Sequence, residues 1–171
     1  MKKRNIVLVG FMGTGKTAVG QALADALDYT YIDTDLMVEA DAGMSIPKIF
    51  EKEGEPSFRK YETDAIKRII HLNRYVIATG GGAVMSNENL ENMKKAGPVI
   101  CLTATPEVIL ERTSKESHRP LLKTYDPMKK IKTLLRIRAP QYAKADYTID
   151  TSALSIKEVV QKIISIMEGE S

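Results

Sequence analysis

One cysteine, two histidines and no tryptophan stand among 171 residues. Cys101 alone cannot form an internal disulfide, and its apolar surroundings "VICLTA" read as those of a buried, inert thiol, so nothing implies an oxidising compartment. His71 and His118 lack a companion at a metal-ligand spacing and read as a helix-end residue and a solvated loop residue. No apolar run approaches the ~20 residues that span a bilayer, so no membrane partner is expected. The opening "MKKRNIVLVG" has the basic start of a signal peptide, but "GTGK" interrupts the apolar run too soon, and a cytoplasmic chain is expected. A strong charge of one sign is missing too: 25 Lys and Arg against 22 Asp and Glu leave a formal +3. With 6% aromatic residues and no basic stripe there is no platform for nucleic acid, and the small positive excess suits an anionic small ligand. Repeats, low-complexity segments and Gly/Ser-rich linkers are absent. One domain over 1–171 is expected, burying roughly two thirds of its unfolded surface.

What the sequence does contain is alternation. Five short β-rich runs, "NIVLVG", "YTYID", "YVIATG", "PVICLT" and "DYTID", are separated by segments with helical signals, the pattern of an α/β fold with a parallel sheet covered on both faces. Ser86 can cap "NENLENMKKAG", Thr105-Pro106 opens "EVILERT", and Asp126-Pro127 opens "MKKIKTLLRIRAPQYAKA". Ser155 with Glu158 makes a capping box, and Pro140 is expected to kink or end its helix early. Two stretches depart from the scheme: a mostly helical insertion, placed at about 34–62, and the polar stretch "SKESHRPLLKTYD", with the loop placed at about 113–125. Insertions beyond the carboxyl ends of strands carry specificity in open α/β sheets, which makes these two the specificity candidates.

"GFMGTGKT", from Gly10 to Thr17, joins the first strand to the first helix and completes the phosphate-loop spacing of Gly, four residues, then Gly-Lys-Thr. Backbone N–H groups and the helix dipole cradle phosphates in such a loop, Lys16 reaches the outer phosphates, and the Thr17 hydroxyl can ligate Mg²⁺. In "DTD", Asp33 and Asp35 can both face the crevice if the segment is extended; one could order water on Mg²⁺ and the other meet a substrate hydroxyl, or the pair is a helix cap and a solvated acid. In "EPSFRKYE", Arg59 and Glu62 are one helical turn apart, a spacing that orients a guanidinium or makes a surface ion pair. "TGGGA" permits either a close ligand or a sharp turn. "HRPLL" and "RIRAPQY" add Arg119, Arg136, Arg138 and Tyr142, arginines suited to a transferring phosphate or to a carboxylate.

In this order, over nearly the whole chain, "GFMGTGKT", "DTD", "GEPSFRKYE", "TGGGA", "RPLL" and "RAPQY" resemble shikimate kinase. The resemblance implies a three-layer α/β/α, nucleoside monophosphate kinase-like fold with a five-stranded parallel sheet in the order 2-3-1-4-5. It implies transfer of the ATP γ-phosphate to the 3-hydroxyl of shikimate, with ATP as co-substrate, one Mg²⁺ per subunit, and a monomer. By motif, Lys16, Asp35 and Arg119 are the catalytic set. Asp35, Arg59, Gly80, Gly81, Gly82 and Arg138 surround shikimate. Gly13, Thr14, Gly15, Lys16, Thr17, Ala18, Arg112 and Arg119 hold ATP, with Arg112 stacked on adenine, and Thr17 and Asp33 serve the metal. "TSALS" carries no basic residue where some relatives place one near adenine, and Ile137 stands where several relatives carry a charge. Two other readings share the loop: a kinase of another hydroxy acid such as gluconate, and a catalytically silent nucleotide-binding domain. The second has no chemical need to keep Lys16, Asp35 and Arg119 together.

Overall fold

The computed structural model describes residues 4–116 and 123–169. All five apolar runs form strands: β1 (Ile6–Val9), β2 (Thr30–Asp33), β3 (Tyr75–Ala78), β4 (Val99–Thr103) and β5 (Tyr147–Asp150). They pair in parallel in the order β2-β3-β1-β4-β5. Parallel neighbours need crossover connections, and helices supply them. These are α1 (Lys16–Leu27), α2 (Thr34–Ala42), α3 (Ile46–Lys52), α4 (Glu55–Ile69), α5 (Asn87–Ala96), α6 (Pro106–Ser114), α7 (Pro127–Tyr142) and α8 (Ile156–Gly169).

Side chains alternate across a strand, so β1 feeds both faces of the sheet. Ile6 and Leu8 pack with Val19 and Leu23 of α1 and Val159 and Ile163 of α8. Val7 and Val9 face the opposite layer, with Ile66 of α4, Met93 of α5, Ile109 of α6 and Ile131 of α7. A strand buried on both sides must be apolar at every position, and "IVLV" is. Helices α2, α3 and α4 close a third, smaller core around Val38, Ile49, Phe58 and Ala65. Cys101 is fully buried, and burial pushes its thiol up to about 11, as expected of an inert side chain.

The caps read from the sequence are present. Ser86, Thr105 and Asp126 each accept a hydrogen bond from the backbone N–H three residues on. Ser155 and Glu158 satisfy each other's backbone N–H groups at 2.7 and 3.2 Å. Helix α7 ends at Tyr142, two residues past Pro140 and short of the "AKA" that follows; a proline in the last turn forfeits a single backbone donor. One local expectation fails. Thr113 and Ser114, read as the start of the polar loop, are the last residues of α6; their hydroxyls donate back to the Ile109 and Glu111 carbonyls.

Because every strand runs the same way, all five carboxyl ends lie along one edge. The phosphate loop after β1, the "DTD" segment after β2 and the "TGGG" turn after β3 therefore share one crevice.

Candidate active site

Three glycines shape the loop after β1. Gly13 and Gly15 take φ of 77° and 99°, a region closed to most side-chain-bearing residues, and a Cβ on Gly10 would collide with the Leu102 carbonyl. Gly15 is the N-cap of α1 and offers no side-chain acceptor, so the first-turn N–H groups of the helix have no capping side chain. The Lys16 ammonium lies over the loop and donates to the carbonyls of Gly10 (2.6 Å) and Phe11 (3.0 Å). Thr14 is buried and donates its hydroxyl to the Phe11 carbonyl at 2.7 Å. Thr17 and Ala18 are exposed on the first turn of α1.

The "DTD" segment differs from an extended strand end. β2 stops at Asp33 and α2 begins at Thr34; the Asp33 carboxylate caps that helix by accepting the Asp35 N–H at 2.8 Å. Capping explains the turn: a carboxylate at the N-cap satisfies a helix donor and favours α2 starting there. Asp35 thus projects from a first helical turn and reaches Gly80 across β3. A Cβ on Gly80 would stand 2.8 Å from Asp35 Oδ1 and 3.1 Å from Glu62 Oε2.

The next two glycines face two other predicted residues. A Cβ on Gly81 would stand 3.1 Å from Arg138 Nη1, and one on Gly82 would stand 2.8 Å from Arg59 Nη2. The "TGGG" turn is thus flat so that a carboxylate and two guanidinium groups from α2, α4 and α7 can close over it. Met12 N of the phosphate loop is 3.6 Å from the same Gly81 position, so the phosphate loop and the cationic wall are adjacent.

Arg59 and Glu62 form no ordinary surface pair. Their Nη1–Oε1 distance is 2.9 Å, and the Glu62 side chain is 1% exposed while Arg59 remains 36% exposed. Burial pushes the Glu62 carboxyl above its ordinary value, and the neighbouring Arg59 pulls it partly back. Arg138 is 6% exposed, lies over the Phe11 ring at 5.3 Å, and its Nη1 has no hydrogen-bond partner among the described residues. A buried guanidinium donor left unmatched is costly, and an anionic ligand is the natural acceptor. Arg136, two residues earlier on α7, is exposed on a different face and does not join the site.

Arg112 meets the phosphate loop from outside, donating to the Gly13 carbonyl (3.1 Å) and to Thr151 Oγ1 (3.1 Å) and carbonyl (3.0 Å). Arg119 and His118 lie outside the described residues, as do residues 117–122 of the polar loop as a whole. His71 is an exposed helix-end residue.

Several supporting residues had no role assigned from the sequence. Tyr142 donates its hydroxyl to the Gly81 carbonyl at 2.6 Å, and burial pushes that phenol up to about 12 despite the nearby Arg138 charge. Gln141 donates to the Val84 carbonyl at 2.8 Å, which ties α7 to the 3₁₀ turn Ala83–Met85 that follows the glycines. Tyr31 packs on Gly20 of α1, and burial followed by the Asp33 charge raises its phenol. Gln141 and Tyr142 lie in "RAPQY", but their partners, like those of Tyr31, come from packing.

Among the described residues no three His, Cys, Asp or Glu side chains group to hold an ion. One exposed hydroxyl and one carboxylate beside a phosphate loop do fit Mg²⁺, which keeps several waters and takes other ligands from substrate phosphates. Among the described residues no helix is long and apolar enough to cross a membrane.

The family described as Shikimate kinase matches residues 12–168. A relative from Caldanaerobacter subterraneus subsp. tengcongensis, named Shikimate kinase, is 52% identical over 161 residues, covering 94% of each chain. Another of that name, from Thermodesulfovibrio yellowstonii, is 48% identical over 165 residues, 96% of this chain and 95% of the relative. Among solved structures, shikimate kinase from Acinetobacter baumannii in complex with shikimate superimposes with a TM-score of 0.93 at 41% identity, covering 98% of this chain and 94% of that one.

Proposed function

The chain belongs to the shikimate kinase family, and on that premise we propose how its residues carry out the ATP-dependent phosphorylation of shikimate. The reaction moves the γ-phosphoryl group of ATP to the 3-hydroxyl of shikimate, giving shikimate 3-phosphate and ADP, a step toward the aromatic amino acids.

In this reading Gly13, Thr14, Gly15, Lys16, Thr17 and Ala18 hold the nucleotide phosphates through backbone N–H groups and the Lys16 charge. Thr17 and Asp33 would hold Mg²⁺, which supplies charge neutralisation of the β- and γ-phosphates when bound. Arg59 and Arg138 clamp the shikimate carboxylate, two planar forks against one planar anion. Gly80, Gly81 and Gly82 leave the ring room against the wall those arginines make. Asp35 accepts the hydrogen bond of the 3-hydroxyl and takes its proton as the oxygen attacks phosphorus in line with the leaving ADP oxygen. Lys16 and Arg119 stabilise the charge on the transferring group, and Arg112 supports the adenine end. ATP as substrate implies a cytoplasmic enzyme, and we read it as a monomer, which sedimentation would check.

One observation carries the acceptor assignment. Asp35, Arg138 and Arg59 close on three consecutive glycines beside the phosphate loop, a carboxylate for a hydroxyl and two cations for an acid. The test is ADP release with a panel of acceptors. Turnover with shikimate and little with gluconate supports the reading; comparable turnover with gluconate overturns it.

A further inference from the structure

Outside the crevice, Thr151 follows β5 and is 3% exposed. It comes from a segment 137 residues away from the phosphate loop, yet its hydroxyl lies 2.9 Å from the Thr14 carbonyl oxygen. The Thr151 hydroxyl oxygen also lies 3.0 Å from the Thr103 carbonyl oxygen and accepts from Arg112 Nη1 at 3.1 Å. The Thr103 carbonyl already receives the Thr151 backbone N–H at 2.8 Å, so the single hydroxyl proton is best used on Thr14.

The consequence lies in the peptide planes. The chain has no cis peptide among its described residues, and in a trans peptide the N–H points opposite to the preceding carbonyl. The Thr14 carbonyl turned outward to Thr151 therefore turns the Gly15 N–H inward. The Gly13 carbonyl turned outward to Arg112 does the same for the Thr14 N–H, which faces the Phe11 carbonyl across the loop at 3.4 Å. With φ positive at Gly13 and Gly15, these planes have little steric restraint of their own, so an external anchor has something to fix.

We propose that Thr151 is a positioning residue for phosphate binding: with Arg112 it holds the Gly13 and Thr14 carbonyls outward, so that the Thr14 N–H closes the loop on the Phe11 carbonyl and the Gly15 N–H stays aimed at the nucleotide phosphates. This rests on the phosphate-loop reading above. It also gives Arg112 a task at the phosphates that is separate from any contact with adenine. An N–H already aimed costs nothing to orient when the anion arrives.

The test uses Thr151→Val, which keeps the shape and deletes the hydroxyl, and Thr151→Ser, which restores it. Dissociation constants are measured for ADP, tripolyphosphate, adenosine and shikimate, with melting temperatures alongside. Thr151→Val is expected to weaken ADP and tripolyphosphate alike by about five- to tenfold, with adenosine and shikimate within about twofold and Thr151→Ser close to wild type. Weakening of adenosine alone would assign Thr151 to the base through Arg112 and overturn the proposal. Equal weakening of all four ligands, or a lower melting temperature with unchanged phosphate affinity, would make the residue merely structural and also overturn it. If Thr151→Val does not fold, Thr151→Cys, with its far weaker donor, answers the same question. Failure of tripolyphosphate to compete with ADP on the wild-type enzyme is a different result: it overturns the phosphate-loop reading itself, and this inference with it.

Discussion

Gly80 faces Asp35 so closely that a single added methyl group would stand 2.8 Å from the carboxylate oxygen. Gly80 is not among the glycines with positive φ, so alanine is allowed there by the backbone and excluded only by its neighbours. Gly80→Ala should therefore fold and displace Asp35 and Glu62. We expect kcat/KM for shikimate to fall by about tenfold or more, with KM for ATP little changed, because a misplacement of an ångström is enough to spoil an attack geometry. Steady-state kinetics with each substrate varied in turn checks this. Unchanged shikimate kinetics would remove Asp35 from the acceptor site.

Arg138 and Arg59 are each expected to fail as lysine. Lysine has neither the two-pronged geometry for a carboxylate nor, at 138, the flat surface that lies over Phe11 at 5.3 Å. Arg138→Lys and Arg59→Lys should raise KM for shikimate far more than KM for ATP. Equal effects on both substrates would place these arginines elsewhere.

Lys16→Ala should retain its melting temperature within a few degrees and lose turnover by about 100-fold or more, roughly 3 kcal/mol of transition-state stabilisation. Its two carbonyl contacts in the loop are replaceable by water, but its charge at the transferring phosphate is not. Near wild-type turnover would contradict the assignment.

Glu62 supplies a pH signature. Its carboxyl is raised above the ordinary 4.5, burial being the larger cause. The folded state therefore holds the Glu62 proton more tightly than the unfolded chain does. That contribution to stability is fully present below the unfolded value and is lost as pH rises from there through the folded value. Glu62→Gln has no such titration. The stability of wild type minus that of Glu62→Gln should thus decline as pH is raised from about 4 toward neutrality. Thermal melts of both proteins across that range measure it, and a difference that is flat or increases with pH would refute the assignment. The same variant should raise KM for shikimate, since Arg59 loses the partner that orients it at 2.9 Å.

The strands, the phosphate loop and four helix caps were legible in the sequence because each is decided locally. Apolar alternation, glycine at positive φ, and a hydroxyl or carboxylate three residues before a helix donor are properties of a few adjacent residues. Local reasoning left open whether "DTD" was extended or a helix start, because the Asp33 cap that starts α2 competes with continuation of β2; the structure has the cap. It also left open whether "TGGG" was a turn or a close approach, and whether Arg59 and Glu62 were buried. Neither could be read from neighbours in sequence. The answer came from Asp35, Arg59 and Arg138, which three different helices bring onto consecutive glycines after β3. Thr151 is the extreme case, a residue in no motif that meets the phosphate loop only because β5 ends beside β4 in the sheet. Sequence determined which backbone elements form, since sterics and hydrogen bonding act over a few residues. Which charges are buried, what they face and which peptide planes are held were decided by tertiary packing, since burial depends on surfaces contributed by distant parts of the chain.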